Sequence, residues 1–143
     1  MIMKEKKTSE LVASIVFGVI FIVAVNAYPL WRPYTQGVVL PSLVLALWAI
    51  NLSSLAQLAG NLSLLFYRPA RFNAAVQLVV SLTSLVCAIV LFVVFPLDFG
   101  AIGLTWLNAV MRIVFIIGMC GAGLAAIVQT VQVCSPRLTY KTR

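Results

Sequence analysis

The sequence predicts an all-α integral membrane protein: four transmembrane helices in an up-down bundle, with both termini cytoplasmic. Three observations carry this reading. Of the residues, 63% are hydrophobic and only 9% charged, with a mean hydropathy of +1.11, a composition suited to lipid rather than water. Four apolar runs are each long enough to cross a hydrocarbon core, which takes about 20 helical residues. The basic residues gather on one side of those runs, as cytoplasmic flanks do.

Residues 1–10 read as a cytoplasmic leader carrying Lys4, Lys6 and Lys7. The first span, 11–31, has 21 residues and no charge. At about 1.5 Å per residue it covers about 30 Å. Val25-Asn26-Ala27 has the small-residue spacing of a signal-peptide cleavage site. The apolar run is longer than a usual signal core, so it reads as a retained span. Tyr28, Trp31 and Tyr34 make an aromatic belt at its far end, where Pro29 and Pro33 stop the helix.

The second span is 38–67, with Pro41 near its start, where a missing N–H is tolerated. Arg68-Pro69-Ala70-Arg71 is a tight basic turn into the third span, 72–95, which Pro96 closes. Leu97-Asp98-Phe99-Gly100 is the next turn. The fourth run, 101–133, has 33 residues, more than a bilayer needs, so it is expected to tilt or to project. Within it, Gly118, Ala122 and Ala126, and Gly121 with Ala125, repeat small residues at a spacing that lets another backbone approach. Residues 134–143 read as a cytoplasmic tail. The chain is therefore a single four-helix transmembrane domain, 11–133, between two polar ends.

Charge sets the orientation. The leader has three lysines, the 68–71 turn two arginines, and the tail Arg137, Lys141 and Arg143. In a four-span chain these three segments share one side, and the other side has only Arg32. Eight basic residues against one place both termini in the cytoplasm, and the expected location is the plasma (inner) membrane.

The spans are not uniformly apolar, and hydrocarbon cannot hydrogen-bond what is polar in them. On a helical wheel, Ser54, Gln57 and Asn61 fall at roughly 300°, 240° and 280° from Asn51. Asn73, Gln77, Ser81 and Ser84 form a second stripe, roughly 80° wide, on the third span. Residues equally distant from the 68–71 turn share a depth. The two stripes are therefore expected to face each other as a seam of Ser54, Gln57, Asn61, Gln77, Ser81 and Ser84. A second cluster is expected around Arg112, the one charge inside a span, whose cost in mid-bilayer is about 2.5–3.5 kcal/mol on insertion scales. Trp106 marks an interface about 9 Å above it. Asn108 shares its face, Asn26 and Asn51 lie at comparable depth, and Asp98 is the natural counter-charge. The other reading is that Arg112 extends its side chain to the headgroups.

Several chemistries are excluded. The chain has no histidine, so it lacks the commonest general base and the commonest metal and haem ligand. No acid lies within a span; Glu5, Glu10 and Asp98 all fall outside them. That argues against a proton relay. The small multidrug exporters are similar in length and span count but depend on an acidic residue in the first span, which is absent here. Cys87, Cys120 and Cys134 have no CxxC spacing, so neither a metal nor a cofactor is expected. The net charge of +7 is grouped at span ends, beside anionic lipid, and does not indicate nucleic acid. The expected function is that of a small accessory or interaction subunit. Interhelical polar contacts hold it together, and its partners are the bilayer and another protein or its own copies. The alternative is a small transporter or homo-oligomeric channel for a neutral or anionic solute, lined by Asn, Gln, Ser, Thr and Arg112. An enzyme is not expected.

Overall fold

Each apolar run is a helix in the computed structural model, which describes residues 7–134 together with the backbone of 2–3 and 139–140. Lys4, Lys6, Arg137, Lys141 and Arg143, which weigh in the charge count, lie outside the described residues. The long helices are α1 (Thr8–Asn26), α3 (Leu43–Phe66), α4 (Ala70–Val94) and α5 (Thr105–Cys134), with α2 (Tyr28–Trp31) a single turn between the first two. All four are long and apolar enough to cross a membrane. Ile2–Met3 pairs in parallel with Thr139–Tyr140, so the two ends of the chain meet.

Helix boundaries follow the breakers. The first run divides at Ala27, because Pro29 has no N–H to continue the ladder. The second helix begins at Leu43 rather than at 38. Gln36 (φ 53°) and Gly37 (φ 86°) turn the chain over, and the next residues take an extended path. Leu40 N–H donates to Pro96 C=O (2.8 Å) and Asp98 N–H to Val38 C=O (2.7 Å), stitching the two connections at this end. α4 stops at Val94, with Phe95 left-handed (φ 41°) ahead of Pro96. The fourth run opens as a 3-10 turn, Phe99–Ile102, before α5.

Successive long helices run antiparallel, and the contacts fix their levels. α1 packs on α3, α3 on α4 and α4 on α5; no comparable packing joins α1 to α5. Asn26 meets Asn51, and Thr8 meets Arg68 at the opposite end of α1. Ser53 meets Ser84. Phe115 meets Phe95, and Gln129 meets Ser81, so the first ten residues of α5 run about 15 Å past the end of α4. The long fourth run therefore projects. Helices approach most closely at small residues: Ala46 and Ala74 are fully buried and Ala49 nearly so. Large apolar side chains such as Phe17, Ile20, Ile113, Ile117 and Leu124 point outward instead. In water that distribution would be costly; in lipid it is the required one.

Candidate functional site

The residues expected around Arg112 divide into three local arrangements. Asn26, at the end of α1, donates to Asn51 Oδ1 (2.7 Å), and Asn51 Nδ2 donates back to Asn26 Oδ1 (3.0 Å). The two carboxamides thus satisfy each other, and Asn26 Nδ2 also reaches the Ile22 carbonyl (2.8 Å). Asp98 caps the 3-10 turn: its Oδ1 accepts from Gly100 N–H (2.9 Å) and from Asn108 Nδ2 (3.3 Å). Asn108 Oδ1 in turn accepts from Phe99 N–H (2.9 Å). Arg112 joins neither pair. Its guanidinium lies over the Phe95 ring, 4.6 Å from the centroid, with Phe92 at 6.0 Å. Among the described residues it makes no ion pair with Asp98. The register explains this: Arg112 is level with Phe95, just beyond α4, and one helical turn below Asn108.

The six seam residues also distribute over more than one interface. Ser84 bonds across α3 and α4, to Ser53 (3.4 Å). Ser81 donates to Gln129 Oε1 on α5 (2.7 Å). Asn61 is buried within α3. Near it, Gly60 lies tightly against α4: a Cβ there would lie 2.6 Å from Val76 Cγ1. Gln77 is half-buried on α4. Asn73, on the same stripe, is 6% exposed, and its Oδ1 has no partner among the described residues.

Ser54 and Gln57 face a groove. It has a volume of about 540 Å³, runs between α1 and α4, and has α3 as its floor. Phe17, Phe21, Leu58 and Leu91 form apolar walls. Ser53, Ser54 and Gln57 run along the floor, with Ser14 and Cys87 at the sides. The lining segments, 13–21 of α1 and 50–58 of α3, lie at the middle of their helices, so the groove opens at mid-height of the helices. Ser53, Gln129 and Ser14 were not among the expected site residues. Ser53 lies at the edge of the α3 stripe, and Gln129 is an amide whose depth depends on the register of α5. Neither is distinguishable without the packing. Among the described residues, no three His, Cys, Asp or Glu side chains gather, and the three cysteines are free.

No family model matches the chain, and no curated protein or solved structure matches it either. Its class rests on its own features: an all-helical protein with four membrane-length apolar helices, interhelical polar pairs and an uncharged lateral groove.

Proposed function

We propose that this protein is a small accessory subunit of the plasma (inner) membrane. In this reading it is an up-down bundle with both termini cytoplasmic, holding a protein partner through its lipid-facing helices. The observation that supports it best is where the polar side chains of the spans place their hydrogen bonds. Asn26 and Asn51, Ser53 and Ser84, and Ser81 and Gln129 pair between helices. Ser63, Thr83 and Thr130 bond carbonyls of their own helices. Such contacts join helices, at about 0.6 kcal/mol each on average, and do not form a continuous lining for a solute. α5 adds an approachable surface, since Gly118 and Gly121 have nothing within 4 Å of where a Cβ would stand.

The transporter reading draws on the groove, which is polar along its floor. Two measurements separate the readings. Purified protein in liposomes should pass neither glycerol nor chloride faster than protein-free liposomes. In native membranes, photo-crosslinkers placed at Gly118 and Gly121 should join one discrete polypeptide. Solute flux that is lost on Gln57→Leu would overturn the accessory reading in favour of transport.

A further inference from the structure

We infer that the groove between α1 and α4 binds a neutral, lipid-soluble amphiphile: a long apolar chain with one uncharged hydroxyl or carbonyl group, which Gln57 and Ser54 recognise. This site is independent of the partner-binding reading. Depth is the first argument. The groove lies at the centre of α1 and α3, the depth at which a bilayer core supplies no water to hydrate its floor.

The second argument is hydrogen bonding. Gln57 is exposed to the groove, and neither Gln57 nor Ser54 makes a side-chain hydrogen bond among the described residues. A carboxamide has two N–H donors and two acceptor lone pairs. Facing hydrocarbon with none of them used costs several kcal/mol by transfer scales, and a bulk acyl tail relieves none of it. A hydroxyl or carbonyl group carried to this depth does. The third argument is charge. No Lys, Arg, Asp or Glu lines the groove, so an ionised headgroup drawn to the centre of the bilayer would be unpaired.

Shape completes the case. The volume of about 540 Å³ falls in the range of small-molecule sites, about 300–1,000 Å³, which are mostly apolar with a few polar groups. The groove runs along α3, from the level of Leu91 to that of Ala13, so an extended chain fits lengthwise. Phe17 and Phe21 supply flat apolar faces beside the polar floor. The ligand enters sideways from the bilayer.

The test uses the full-length protein in lipid nanodiscs. The probe is a diazirine-bearing long-chain alcohol, and labelled peptides are mapped by mass spectrometry. Label should concentrate in residues 13–21 and 50–58. Excess unlabelled long-chain alcohol or long-chain ketone should compete, and whichever competes at the lower concentration marks hydroxyl or carbonyl as the preferred group. The matched alkane should not compete. Gln57→Leu should reduce specific labelling by about fivefold, the equivalent of one hydrogen bond. Because Gln57 is exposed, the change leaves the core intact, and Ser54→Ala provides a second variant. Label spread evenly over all lipid-facing helices, or equal competition by the alkane, would overturn the site. So would a crosslinker at Gln57 that joins another polypeptide in native membranes, because the groove would then hold a helix.

Discussion

Arg112 shows how a single charge is accommodated at the end of the helices where the 27–42 and 95–104 connections lie. Its partner is aromatic rather than acidic: the guanidinium lies on Phe95, and Phe115 contacts that ring edge-on at 6.1 Å. Phe95 is left-handed (φ 41°) as the C-cap that ends α4, a conformation that costs a non-glycine residue about 1–2 kcal/mol. The stacking returns about 0.5–2 kcal/mol, depending on desolvation. A double-mutant cycle between Arg112→Met and Phe95→Leu should therefore show coupling of about 0.5–1 kcal/mol in bicelle unfolding. The cycle between Arg112→Met and Asp98→Asn should be additive, because Asp98 is engaged with Gly100 and Asn108 instead. Strong coupling to Asp98 would contradict this arrangement.

Among the helices, the α3–α4 contact is set by Gly60. The added Cβ of Gly60→Ala would stand 2.6 Å from Val76 Cγ1 and 3.5 Å from Val80 Cγ2, so the helices must separate or Val76 must change rotamer. Overpacking of this kind costs about 1–3 kcal/mol. Gly60→Ala should thus destabilise the protein by that amount, and pairing it with Val76→Ala should recover most of the loss. Gly118→Ala, which meets nothing within 4 Å, should leave the stability of the isolated chain unchanged. Equal effects from the two substitutions would mean that the close approach lies elsewhere.

For the whole molecule, four antiparallel spans place the 68–71 turn with the chain ends and the 27–42 and 95–104 connections on the other side. On the proposed orientation, charge supplies the direction. Reporter fusions after Arg71 and Arg143 should both read cytoplasmic, and one after Gly37 should read external. A cytoplasmic reading at Gly37 would overturn the topology.

The sequence by itself determined the class, because apolar length and breakers act locally. A run of twenty apolar residues has few alternatives to a membrane helix, and Pro29, Pro69 and Pro96 each lie two or three residues past the end of a long helix. It also showed which residues are polar inside the spans. What it could not supply was their partners. A periodic stripe tells which side of one helix is polar, but the partner depends on the register between helices. Ser81 lies on the α4 stripe with Ser84, yet the rotation and depth of α5 give it to Gln129, while Ser84 goes to Ser53. Likewise, Arg112 reads as mid-bilayer when counted from Trp106. The tertiary structure runs the first ten residues of α5 about 15 Å past the end of α4 and brings the charge level with Phe95. The groove belongs to packing alone: it exists because α1 and α4 both lean on α3 without closing over it, and no pattern along one chain encodes that gap.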